Sequence, residues 1–269
     1  MASDFQIVQL EINEAAITTL GRRERNQLVG CMHAHNELTI LNRILIFSMN
    51  DTGDGPLHDA GQAIQMWCLL QVLAGKLFET WNMLEERFLR ANPEDPALAS
   101  LEAKHKASLE WLKEYFQDED NALRLIRDRA AFHYDKLNLK QAVTNLREGE
   151  NVVYLAQHPA NSVYYVGSAL VFRTVFAMIA QKTGDCTGMA HSELVTVGVQ
   201  RAIKQANAAN EHLHLVLYGL IRYLQESALG KPLNAVEQVR INVYDAPHWS
   251  KVGLPAFLDW VREDGTIGK

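Results

Sequence analysis

Apolar side chains recur every three or four residues from about Gly30 to Leu229, the period of helices that bury one stripe. Leu38, Leu41, Leu45 and Met49 share a stripe and predict a first helix from about Cys31 to Met49. The turn-forming run Asn50-Asp-Thr-Gly-Asp-Gly-Pro56 breaks it. A second helix is predicted from near Asp59 towards Arg90, on Met66, Leu69, Leu70, Leu73, Leu77, Trp81 and Leu84. The prolines of Asn92-Pro-Glu-Asp-Pro96 bar its continuation. Leu98, Leu101, His105, Leu109, Leu112 and Phe116 form the buried face of a third helix. Gln117-Asp-Glu-Asp-Asn121 reads as a helix end followed by a new N-cap. A fourth helix then carries Leu123, Ile126, Ala130, His133 and Leu137, and Asn138 is placed to cap a short helix through Leu146. Two more helices follow, from about Ser162 to Lys182 and from about Ser192 to Leu229, the last burying Ile203, Ala206, Leu213, Leu217, Leu220 and Leu224.

Period-two alternation occurs only near the ends, in Phe5–Ile12 and in Val239–Tyr244, which are suited to pair as a small edge sheet. No stretch reads as a linker between two large domains. The expectation is therefore one all-α domain over residues 1–269, with a bundle core at about 30–229 and a mixed C-terminal extension at 230–269 packed on it. With 48% apolar and 22% charged residues the composition is ordinary for a globular chain able to bury a core. Three scattered cysteines and no Cys-x-x-Cys pair support neither a disulfide framework nor a zinc ribbon, which suits a reducing cytoplasm. Val163–Ala180 has nearly the length of a short membrane span, but Arg173 near its middle makes it a buried core helix, so no membrane partner is expected. A net charge of −6 argues against non-specific wrapping of nucleic acid while allowing a local basic site.

Such a basic site is present. Arg124, Arg127 and Arg129 fall within two turns of one predicted helix, with Lys136, Lys140 and Arg147 after them. His133 adds a side chain that gives and takes protons near neutral pH. Arginine beside histidine suits phosphodiester chemistry: guanidinium offsets charge in the transition state, imidazole moves a proton, and a ribose 2′-OH serves as nucleophile without a metal. Residues six apart on an α-helix are separated by about 120° around its axis, so Arg127 and His133 do not stack. Both lie three residues from Ala130, where a second helix can approach closely, and a site built from two protomers fits that arrangement. Spacing alone also fits a structural role, with His133 in the core and Arg127 paired to Asp128, Asp120 or another carboxylate.

The string Ile126-Arg-Asp-Arg-Ala-Ala-Phe-His-Tyr-Asp135 resembles the signature of the HEPN superfamily: an arginine, a polar residue, a few more residues, then histidine. The resemblance covers about ten residues in sequence and about 200 in architecture, an up-and-down helical bundle. It implies Arg127 and His133 as catalytic residues and Asp128 as an orienting one, in a metal-independent endoribonuclease without a cofactor. It further implies cleavage of single-stranded RNA or tRNA by a homodimer, with Arg124, Arg129 and Lys136 contacting RNA. Toxin–antitoxin and phage-defence roles, and an antitoxin protein as partner, are characteristic of such proteins. Asp128 stands where asparagine is commoner, and some members keep the bundle without being nucleases, so a non-catalytic interaction or regulatory protein is the alternative.

Other constellations point elsewhere. Glu102/His105 and Glu211/His214 are Glu-x-x-His pairs which, with Glu37 and Glu79, would make the chain a metal-binding helical bundle. Glu211 points away from Leu213 and Leu217, and Glu102 lies beside the edge of the apolar row that holds His105. Chance and surface placement account for both pairs, and no metal is expected. His33 and Glu37 share a helix face as ligands or as a surface pair. No Gly-rich phosphate loop and no Gly-x-Ser-x-Gly elbow occurs.

Overall fold

The two alternating segments at opposite ends of the sequence do pair. β1 (Ser3–Gln9) and β2 (Val239–Ala246) form an antiparallel two-stranded sheet in the register Phe5↔Val243, Ile7↔Ile241 and Gln9↔Val239, with an irregularity between Ser3 and Phe5. Directly paired residues share a face, so Phe5, Ile7, Val239, Ile241 and Val243 line one side. Gln6, which donates to Asn242 Oδ1 at 3.0 Å, lies on the other.

The computed structural model describes residues 3–50, 55–92, 94–131, 139–157, 159–182 and 184–256. Among them this is the only sheet, and the fold is an all-α helical bundle with a small C-terminal extension. The helices are α1 (Glu14–Thr19), α2 (Arg22–Ser48), α3 (Pro56–Leu84), α4 (Pro96–Ala99), α5 (Ala103–Gln117), α6 (Ala122–Ile126), α7 (Lys140–Thr144), α8 (Tyr165–Lys182) and α9 (His191–Leu229). Single π turns extend α3 over Glu85–Arg90 and α6 over Arg127–Ala131. No helix among the described residues is long and apolar enough to cross a membrane.

Contacts divide the chain into two compact units that alternate along the sequence. The first gathers Met1–Ile40, Lys76–Glu119 and Asn207–His248; the second gathers Leu41–Gly75, Asp120–Ala206 and Trp249–Lys269. In the first, Leu28, Leu38, Leu77, Leu84, Leu112, Leu213 and Leu217 are fully buried. Each such side chain contributes roughly 1.5–3 kcal/mol by leaving water. Phe116 lies flat on Trp81 at 5.2 Å and edge-on to Phe78 at 4.8 Å. In the second, Leu73, Leu123, Ile126 and Ile179 are fully buried and Trp67 meets Phe176 edge-on at 5.1 Å. The described part of the C-terminal extension is held in both: β2 pairs with β1 in the first unit, while in the second Leu254 N–H donates to the Phe47 carbonyl.

The helix boundaries depart from the hydrophobic pattern in instructive places. α2 starts at Arg22 rather than near Cys31, because Gln27 and Leu28 are already buried there despite the polar residues around them. α3 starts at Pro56, whose missing N–H costs nothing at the first helical position. The expected third helix is two: Asp95 caps α4 by accepting from Ala97 N–H at 2.9 Å, and the chain restarts after Glu102. Asn138, expected as a cap before α7, lies outside the described residues.

α8 and α9 meet so closely that an added Cβ on Gly198 would stand 1.9 Å from the Phe176 carbonyl oxygen. That obstacle is backbone, which cannot rotate away. Gly198→Ala is therefore expected to destabilise the protein by about 1–3 kcal/mol or more, the cost of overpacking. Urea denaturation checks it, and a loss below the measurement error would remove the close contact as a constraint.

Candidate functional site

The site read from the sequence sits just beyond α6. Asn121, almost fully buried, caps this helix by accepting from Arg124 N–H at 2.8 Å. Ala122 N–H donates to Gln205 Oε1 of α9 at 2.8 Å, which satisfies another of the unpaired amides at the helix start. Lys182 at the end of α8 pairs with Asp120. Ala122, Leu123, Leu125 and Ile126 are all buried, so α6 is held on more than one side, and it packs on α8 together with α7 and the following π turn.

At Arg127 the hydrogen bonding widens from the α to the π pattern. Over Arg127–Ala131 the 3.6 residues per turn of an α-helix give way to the wider π turn. Arg127 Nε donates to Asp128 Oδ1 at 2.7 Å, and the two side chains are 29% and 43% exposed. The structure thus brings Arg127 and Asp128 together. Arg124 is half-buried and Arg129 exposed. His133 and Lys136 lie outside the described residues. π turns in α-helices occur frequently at functional sites.

Among the described residues, His35, His105 and His214 are engaged in packing. His214 donates from Nδ1 to the Asn210 carbonyl at 2.8 Å, which leaves Nε2 to accept from Thr39 Oγ1 at 3.0 Å. Its ring stands edge-on to His35 at 4.7 Å. His33 faces Glu37 at 3.6 Å, but the firm partner of Glu37 is Lys76 at 2.6 Å. Glu102 lies 3.4 Å from both Lys104 and Arg222, while His105 is buried and, among the described residues, neither of its ring nitrogens has a hydrogen-bond partner. Among the described residues no group of three or more His, Cys, Asp or Glu is placed to hold a metal ion. Burial pushes the Cys31 thiol up to about 12, so it stays protonated and is no nucleophile at neutral pH.

The sequence reading passed over a buried ion pair in the second unit. Arg173, 2% exposed within the apolar α8, donates through Nη1 to both carboxylate oxygens of Glu150 at 2.7 and 2.9 Å. Burial first, and then the charge of Glu150, hold the Tyr165 hydroxyl above its ordinary value. A lone arginine inside an apolar run was the available signal, since a charge there requires a partner. Neither a family model, nor a curated protein, nor a solved structure matches the chain.

Two outcomes are expected. Removing one member of a buried pair costs about 3–5 kcal/mol, so Glu150→Gln should lower the unfolding free energy by that order, and Arg173→Met/Glu150→Leu together should recover most of it. A loss under about 1 kcal/mol would show that the pair is not desolvated. Burial also holds His35, His105, His191 and His212 below the ordinary 6.5. The unfolded chain then takes up protons first as pH falls, so stability should be lost progressively below about 6.5. The melting temperature should be lower at pH 5.5 than at pH 7.5, and His105→Leu should flatten the dependence.

Proposed function

We propose that the chain is a metal-independent endoribonuclease of the HEPN type. The observation that carries this reading is the ion pair of Arg127 with Asp128 on the π turn, where the motif's arginine is held by the motif's polar residue. A guanidinium fixed in this way loses less conformational entropy when it meets a phosphate. The two side chains also remain partly open to solvent, as contact with a polymer substrate requires.

In this reading a base, His133, takes the proton of a ribose 2′-OH while the 2′-oxygen forms a bond to phosphorus. The bond from phosphorus to the 5′-oxygen breaks, and the leaving oxygen takes a proton from the His133 of a second protomer. The products are a 2′,3′-cyclic phosphate and a 5′-OH end, and no oxidant or metal enters the balance. Arg127 offsets the charge that develops on the non-bridging oxygens. Arg124, Arg129 and Lys136 provide attraction for the RNA backbone.

Purified wild type is expected to cleave single-stranded RNA or tRNA in EDTA, leaving cyclic phosphate ends. His133→Ala should reduce the rate about 10²- to 10⁴-fold, as loss of a general acid–base does. Arg127→Ala should reduce it about 10²- to 10³-fold, as loss of a charge-stabilising donor does. Circular dichroism confirms that the variants fold. Inactivity of wild type on a broad RNA panel would instead favour a non-catalytic interaction protein.

A further inference from the structure

The first unit contains a cavity of about 300 Å³ where α2 begins, lined by Arg22, Gln27, Asp95, Tyr223 and Leu224 among others. This volume is at the lower end of those that hold small organic ligands. Its polar floor is built from two buried side chains, Gln27 at 1% exposure and Asp95 at 5%. Asp95 is fully engaged: Oδ2 accepts from Arg23 at 2.8 Å and from Gln27 at 3.0 Å, and Oδ1 accepts from Ala97 N–H.

Gln27 is engaged at one end only. Nε2 donates to Asp95 and, at 2.9 Å, to the Arg87 carbonyl. Two acceptors on that side fix which end of the amide is nitrogen. Oε1 has room for two donors, and among the described residues it receives none. The side chain lines the cavity, so this oxygen is left for a donor on an entering molecule.

The rim has the opposite character. Arg22 is exposed and has no carboxylate partner among the described residues, whereas neighbouring Glu24 is held by Gly21 N–H at 3.0 Å and Arg23 by Asp95. Tyr223 and Leu224 of α9, with Pro96, add a largely apolar wall. The complementary molecule is flat and apolar in the middle, with an N–H donor at its buried end and an anionic group at the rim. We propose that this cavity binds small planar carboxylic acids that carry an N–H donor opposite the carboxylate, of the size of an aminobenzoate. The carboxylate pairs with Arg22, the ring lies along Tyr223, and the amine donates to Gln27 Oε1. This site is independent of the nuclease reading.

The test is calorimetric titration of the full chain with 4-aminobenzoate, with benzoate (no donor), and with aniline (no anion). One saturable site is expected for 4-aminobenzoate, with each of the others at least about tenfold weaker, because each lacks one charge-assisted or buried hydrogen bond. Arg22→Ala lies on the surface and should leave the melting temperature unchanged while weakening 4-aminobenzoate about tenfold or more. Absence of saturable binding at millimolar 4-aminobenzoate would overturn the proposal. So would equal affinity for the three probes, or an Arg22→Ala protein that binds like wild type.

Discussion

A guanidinium placed in the middle of an apolar helix constrains everything packed around it. α8 buries Val175, Phe176, Ile179 and Ala180 together with Arg173, so the charge cannot reach water by rotating its side chain. It must be neutralised where it stands, and Glu150 does this with both carboxylate oxygens. Glu150 is in turn placed by the turn after α7, where its Oε2 also accepts from Arg147 N–H at 2.8 Å. One buried charge thereby fixes a surface turn, the docking of α7 on α8, and the surface of α8 on which α6 and its π turn rest. The close approach of Gly198 to the Phe176 carbonyl, three residues on, fixes how α9 meets the same helix. The second unit depends on the position of α8 more than on any single apolar contact.

The first unit has its own polar hub, at Asp95. This carboxylate caps α4 and receives both Arg23 and Gln27 of α2. The π turn after α3 takes part, because the Arg87 carbonyl accepts from Arg23 and Gln27 while the Arg87 guanidinium donates to the Asn26 carbonyl at 2.7 Å. Those contacts tie α2 to the end of α3 by hydrogen bonds that a purely apolar interface would not specify. The open Gln27 oxygen is a consequence of this arrangement: satisfying two acceptors with Nε2 turns Oε1 away from them.

Local signals were legible in the sequence where one residue type acts within a few positions. Asn121 caps α6 as its place before the apolar run indicated, Leu101, His105, Leu109, Leu112 and Phe116 are buried together, and the terminal alternating segments pair. The pattern failed where the cause is distant in sequence. Arg23 and Asp95, or Arg173 and Glu150, meet only through the tertiary fold, and no period announces them. The two π turns also escaped, since residue spacing suited to 3.6 per turn is locally indistinguishable from a helix that widens by one residue. Of the candidate site, Arg127 with Asp128 is placed, while the part that includes His133 lies outside the described residues.

The two π turns bear on how Arg127 is to be read. In both, the helix widens and the turn carries an arginine that is held nearby. In the first, Arg87 bonds a backbone carbonyl of another helix, and its own carbonyl serves two side chains. That turn is a structural joint. In the second, Asp128, the adjacent residue, gives Arg127 Nε a local acceptor. A neighbouring carboxylate orients a guanidinium without requiring the rest of the fold to move with it. It also lowers the net positive charge offered to a phosphate, so the pair gives up some attraction for a defined geometry. Catalysis favours that exchange because transition-state stabilisation depends on donors already in position, whereas binding alone would favour the uncompensated charge. In the proposed nuclease reading, Arg124 and Arg129, which flank the pair in sequence, supply the general attraction that it gives up.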